Sequence, residues 1–201
     1  MANDIDFYFD FSSPYGYFAA NRIDALAAKY QRAVKWRPVL LGAIFKRSGV
    51  LPLMEIPLKG EYSLHDIIRT ARFHGIPYRH PSTFPISTQA PARAVLWLQN
   101  NAGDAEAIAF AKAAYHAFFV DDINIGEPEQ VKHIAEQLGL PAGAMIDGIA
   151  TPAIKEQFKT AVELAVARGV FGSPYVIADS EPFWGFDRFD QLEAYLKNGT
   201  I

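Results

Sequence analysis

Ile5, Phe7, Phe9 and Phe11 alternate with Asp6, Tyr8, Asp10 and Ser12. That period of two predicts a β-strand with one strongly apolar face. Ser13 then stands as a helix N-cap, and Pro14 suits the first helical position. Beyond them Tyr15, Phe18, Ala19, Ile23, Leu26, Ala27 and Tyr30 recur at helical spacing, which predicts a single helix running to Tyr30. Val34 to Leu41 reads as a second strand, parallel to the first if the helix between them is a right-handed crossover. From Glu61 to Gly169 the periodicity is helical throughout. Leu64, Ile67, Ile68 and Ala71 mark one helix, stopped by Gly75 and Pro77. Further helices are expected over Pro91–Gln99, around Ile108–Phe118, over Glu129–Leu138, around Met145 and over Pro152–Arg168, with Gly139 and Gly169 as C-terminal stops. The tail returns to strands at Tyr175–Ala178 and Phe183–Trp184, turned by residues 179–182, before a last helix capped by Asp187. A βαβ start, a helical middle and a closing hairpin imply an α/β fold whose single sheet is interrupted by an insertion.

Composition narrows the function. The chain has 201 residues, half of them hydrophobic and 13% aromatic, which excludes a disordered or fibrous protein. Its net charge is −3, and no Lys/Arg cluster reaches the density needed to neutralise a phosphate backbone, so a small-molecule partner is expected and no nucleic acid. There is no cysteine. That removes disulfides, thiolate metal sites and any thiol nucleophile of the protein's own. The start, MANDID, lacks the basic residues and apolar run of a signal peptide, and no stretch is long enough to span a bilayer. The expectation is a cytoplasmic protein with no membrane partner.

Three places could carry chemistry. Ser13 sits where a strand meets a helix N-terminus, the position at which open α/β sheets place ligands, although the same serine can serve simply as a cap. Gly172-Ser173-Pro174-Tyr175 precedes a strand, and a cis Ser173-Pro174 bond would turn the preceding backbone outward as a hydrogen-bonding edge, whereas a trans bond would make an ordinary turn. Asp187 with Arg188, at the start of the last helix, could recognise a zwitterion: the Asp takes an ammonium and the helix end a carboxylate.

Taken in order, DFYFDFSSPYGY, LLGAIFK, GIP, GVFGSPYVI and FWGFDRFDQLE resemble the 2-hydroxychromene-2-carboxylate isomerases, relatives of kappa-class glutathione transferases and of DsbA-like thioredoxin folds. The resemblance covers nearly the whole chain. It implies a thioredoxin-like fold with an inserted all-helical subdomain, divided as residues 1–48 with 170–201 against residues 49–169. It also implies glutathione as cofactor, with its sulfur facing Ser13 and Ser12 as a substitute. Ser173, Pro174, Phe186, Asp187 and Arg188 would hold the tripeptide. Phe186 stands where relatives often carry Asn or Ser, so only its backbone N–H is expected to face the ligand. Lys46 and Lys59 are candidate partners of a substrate carboxylate. Tyr62, with Asp66 and Arg69 on the same helical stripe, would face the aromatic substrate or form a structural cluster.

The implied reaction opens a cyclic hemiketal to a trans benzylidenepyruvate by means of a borrowed thiolate, with no net redox change. A free cysteine thiol titrates near ~8.5, and lowering that by ~2 units requires about 2.7 kcal/mol. A hydrogen bond to a charged acceptor supplies roughly 1.5–3 kcal/mol, and a helix dipole about 0.3–1, so the hydroxyl is expected to dominate. A kappa-type glutathione transferase and a non-catalytic thioredoxin-fold binding module are the competing readings. The five histidines, His65, His74, His80, His116 and His133, match no metal spacing, so no metal is expected. Aromatic surface in the helical region is compatible with a homodimer.

Overall fold

The structure is a computed structural model that describes residues 4–201. The first three residues of the expected thioredoxin-like segment therefore lie outside the described residues. Strand β1 (Ile5–Phe9) pairs in parallel with β2 (Val34–Pro38), Phe7 opposite Trp36. On its other side β1 pairs antiparallel with β3 (Tyr175–Ala178), which turns into β4 (Glu181–Trp184). The sheet order is β2-β1-β3-β4, so residues from the two ends of the chain form one sheet. Asp179 and Ser180 both have positive φ, the backbone that a two-residue hairpin turn with the right twist needs.

The predicted first helix is two. Helix α1 (Pro14–Ala20) ends at Asn21, whose side chain donates to Tyr17 O at 2.8 Å and competes for the helical acceptor; α2 (Ile23–Lys29) resumes after Arg22. The second strand is also shorter than expected. It stops at Pro38, and Leu41 begins α3 (Leu41–Ser48), an unforeseen helix whose first N–H donates to Asp10 Oδ2 at 2.6 Å.

Six helices follow: α4 (Lys59–His74), α5 (Gln89–Asn101), α6 (Asp104–Phe119), α7 (Pro128–Gln137), α8 (Ala142–Ala150) and α9 (Pro152–Ala167). Gly75, Gly139 and Gly169 have φ of 64°, 68° and 84°, the left-handed backbone of helix stops. The last helix, α10 (Phe189–Asn198), starts later than expected. A 3-10 turn over Phe186–Arg188 comes first, so Asp187 lies before the helix, and the capping position, Arg188, makes no side-chain cap.

The core is aromatic. Phe7 and Phe9 meet the Trp36 ring edge-on at 5.0 and 5.2 Å, and Phe11 packs on Tyr115 at 4.9 Å. The alternation in β1 predicts one polar face, yet Tyr8 is 3% and Asp10 1% exposed, because helices cover both faces of the sheet. No helix among the described residues is long and apolar enough to cross a membrane.

Candidate active site

β1 delivers the chain to a short turn, and Ser13 caps α1. Its φ/ψ of −92°/113° is extended, and its Oγ accepts from Gly16 N–H at 3.0 Å. The same Oγ donates to Ser173 O at 2.7 Å, so the loop before β3 is hydrogen-bonded to the start of α1. The Ser173–Pro174 bond is cis. Ser13 is only 6% exposed.

These bonds change the energetics expected of the hydroxyl. A serine has one proton to donate, and here it goes to the Ser173 carbonyl. To serve a sulfur anion it must turn away, exchanging a neutral hydrogen bond worth about 0.5–1.5 kcal/mol for a charge-assisted one worth about 1.5–3. The net gain is therefore about 1 kcal/mol, less than half of what two pH units require. The rest falls to the helix end. Pro14 has no N–H, Gly16 N–H is taken by Ser13 Oγ and Tyr17 N–H by Ser13 O, which leaves Tyr15 N–H as the first-turn donor for an incoming anion.

Gly16 stands at the fourth position of the Ser-Pro-Tyr-Gly turn. A Cβ there would come to 2.7 Å from Tyr115 Oη, 2.8 Å from Ser173 Oγ and 3.1 Å from Ser13 Cβ. A second functional side chain has no space at this position.

Around the turn, Asp10 is a buried hub absent from the sequence-derived candidates. Its carboxylate accepts from Ser12 N–H (2.8 Å), Leu41 N–H (2.6 Å) and Thr88 Oγ1 (2.8 Å). Its own N–H donates to Ser173 Oγ at 2.9 Å, and its carbonyl accepts from Tyr115 Oη at 2.9 Å. Burial pushes the Asp10 carboxyl above its ordinary range, against the opposing pull of those three donors. One aspartate thus ties β1 to α3, to the residue before α5, to α6 and to the loop before β3.

A second cluster joins α1 to α4. Tyr15 Oη donates to Asp66 Oδ2 at 2.6 Å, and Arg69 donates to Asp66 and, at 2.9 Å, to Tyr62 Oη. Burial, with the adjacent Asp66, raises the Tyr15 hydroxyl well above its usual value. Burial would raise Asp66 too, but the hydrogen bonds from Tyr15 and Arg69 hold it below the usual carboxylate range. The stripe of Tyr62, Asp66 and Arg69 is therefore hydrogen-bonded together, with Tyr15 as a member that periodicity assigned only to packing.

The other expected residues are scattered around this centre. Phe186 is buried and packs on His74 at 4.7 Å and Phe18 at 5.8 Å. Asp187 is exposed and pairs with Arg188 at 2.9 Å. Lys46, on the last turn of α3, borders a shallow cavity of about 330 Å³ with Phe45 and residues 49–52. Lys59 opens α4 and is exposed. Ser12 is half-buried, one residue before the cap. Among the described residues no group of three or more His, Asp or Glu is placed to hold a metal ion.

With this geometry in view, comparison with known proteins adds a consistent picture. The DSBA-like thioredoxin domain model matches residues 4–197. The chain is 32% identical over 198 residues to the 2-hydroxychromene-2-carboxylate isomerase of Sphingobium xenophagum, covering 98% of this chain and 99% of that one. It is 26% identical over 207 residues to glutathione S-transferase kappa 1 of Homo sapiens, covering 98% and 92%. A solved 2-hydroxychromene-2-carboxylate isomerase superposes with a TM-score of 0.86 at 26% identity, covering 96% of this chain and 94% of that one.

Proposed function

Because this chain belongs to the 2-hydroxychromene-2-carboxylate isomerases within the DSBA-like thioredoxin domains, we propose that it is a glutathione-dependent isomerase. Its substrate would be 2-hydroxychromene-2-carboxylate or a similar intermediate of aromatic degradation, converted to the trans open-chain benzylidenepyruvate. The observation that supports this most is a buried hydroxyl on a helix N-terminus, beside a cis Ser173–Pro174 bond, in a chain with no thiol of its own. Such a donor set suits a sulfur anion brought by a small thiol.

Bound glutathione would supply a thiolate nucleophile that is returned unchanged at the end of the cycle. The protein's residues do the rest. Ser13 Oγ–H and Tyr15 N–H stabilise negative charge on the sulfur, and Asp187 faces the ammonium of the γ-glutamyl group. The backbone of Ser173 and Pro174 lies along the peptide, with Phe186 N–H and Arg188 near the carboxylates. Lys46 and Lys59 orient the substrate carboxylate, while Tyr62 and the apolar residues near it cover the aromatic ring. Tight hydrogen bonding through Asp10 keeps Ser13, α3 and the proline loop in register, which preserves this placement without itself touching substrate.

The similarity to kappa 1 glutathione transferase makes conjugation the second reading. Incubating enzyme and substrate with substoichiometric glutathione separates the two. Many turnovers per thiol are expected of the isomerase. Consumption of one thiol per product would establish transfer, and absence of turnover with no heat of glutathione binding would leave a non-catalytic module.

A further inference from the structure

A cavity of about 320 Å³ lies between α3, α5 and α9, and none of the candidate glutathione residues lines it. Each helix contributes side chains four apart, which share one helical face: Ala43 and Arg47 from α3, Gln89 and Arg93 from α5. Helix α9 presents two such rows, Lys155, Lys159 and Glu163 beside Phe158, Val162 and Val166. The wall therefore carries four cations against one carboxylate, over an apolar floor. Lys159 is paired with Glu156 at 3.1 Å, an exposed contact of little strength.

Arg93 singles the cavity out. Its Nη2 donates to Gln89 Oε1 at 2.6 Å, whereas its Nε is buried and, among the described residues, has no hydrogen-bond partner. A buried donor without an acceptor is costly, and it leaves this guanidinium short of partners. Burial also lowers the guanidinium's affinity for its proton. A volume near the lower end for small-molecule sites, about 300–1,000 Å³, suits a body of one or two rings.

We infer that this cavity is a second binding site, distinct from the glutathione site, for a small flat-bodied organic carboxylate whose acid group meets the exposed edge of the Arg93 guanidinium while Phe158 and Val162 hold its ring. Arg47 and Lys155 attract the anion from the rim. The inference does not depend on the isomerase reading.

Calorimetric titration with 1-naphthoate, and with naphthalene-1-carboxamide as its uncharged analogue, tests it on the full chain. The acid is expected to bind at one site, with the amide weaker by about tenfold, the size of a charge-assisted contact. Arg93→Met should weaken the acid by about tenfold, and Lys155→Ala, an exposed change that leaves the fold intact, by about threefold. Ser13→Ala and saturating glutathione should leave its affinity unchanged. Equal binding of acid and amide, an undiminished affinity in Lys155→Ala, or displacement by glutathione would each overturn the inference. Loss of glutathione binding alone would overturn the isomerase reading and not this one.

Discussion

The turn around Ser13 and the segment from Gly42 to Tyr62 border the same end of the sheet and are built on opposite principles. At the turn the Ser13 hydroxyl and the Asp10 carboxylate are both partnered and almost fully enclosed. In the other segment Val50, Leu51, Leu53, Leu58 and Tyr62 are between 43% and 87% exposed, and the capping position of α4, Leu58, has φ 67° and makes no side-chain cap. On the proposed function, the contrast separates the half of the chemistry that needs fixed geometry from the half that does not. A sulfur anion is recognised by two or three donors whose positions must hold to a fraction of an ångström. An aromatic ring is recognised by area, which loosely held apolar side chains can supply.

Variants should divide along that line. Asp10→Ala should have the largest effect, since it strands two N–H groups and a hydroxyl in the interior. Unfolding in denaturant is expected to show a loss of about 3 kcal/mol or more. Asp10→Asn keeps one oxygen for Ser12 and Thr88 but points an amide N–H at Leu41 N–H, and should lose about 1–3 kcal/mol. Gly16→Ala comes next. Its methyl meets two hydroxyls in a packed site, so a loss of about 1–3 kcal/mol is expected together with disturbed glutathione binding by calorimetry.

Ser13→Ala should lower turnover about fivefold at neutral pH, the rate equivalent of about 1 kcal/mol, and lower stability by about 1 kcal/mol through the lost cap. A steady-state assay with a thermal melt would measure both, and equal losses in Ser12→Ala would move the role one residue earlier. In the exposed segment, Lys46→Ala and Lys59→Ala should raise KM for the carboxylate substrate while stability stays within about 0.5 kcal/mol.

The Tyr15–Asp66–Arg69 cluster joins the two regions and gives a pH signature. Asp66 titrates lower in the folded protein than in the unfolded chain. Its contribution is fully present above the unfolded value of about 3.9 and is lost as pH falls through the lower folded value. Hydrogen exchange in α4 should therefore rise at acid pH in the native protein and respond less in Asp66→Asn. An unchanged profile would show that α4 is held by other contacts.

Much of the rigid region was legible in the sequence, because a period of two, Ser before Pro at a helix start and glycines at helix ends each have one dominant local cause. Asp10 was not, since in β1 it reads as a polar-face residue and its partners Leu41, Thr88, Tyr115 and Ser173 are 31 to 163 positions away. Helix α3 was hidden because its first residues extend the apolar run of β2 and its start depends on that distant carboxylate. The second member of the split first helix was obscured for a related reason: the break at Asn21 is a side-chain hydrogen bond, with no Gly or Pro to announce it.

The decisive measurement is the acidity of glutathione bound to the protein, monitored by ultraviolet difference absorbance of the thiolate across pH in the native chain and in Ser13→Ala. The bound thiol is expected to titrate about two units below the free-thiol value of about 8.5, with about 0.7 unit of that shift lost in the variant. A bound thiol that keeps its free value, or a shift indifferent to Ser13, would contradict this expectation.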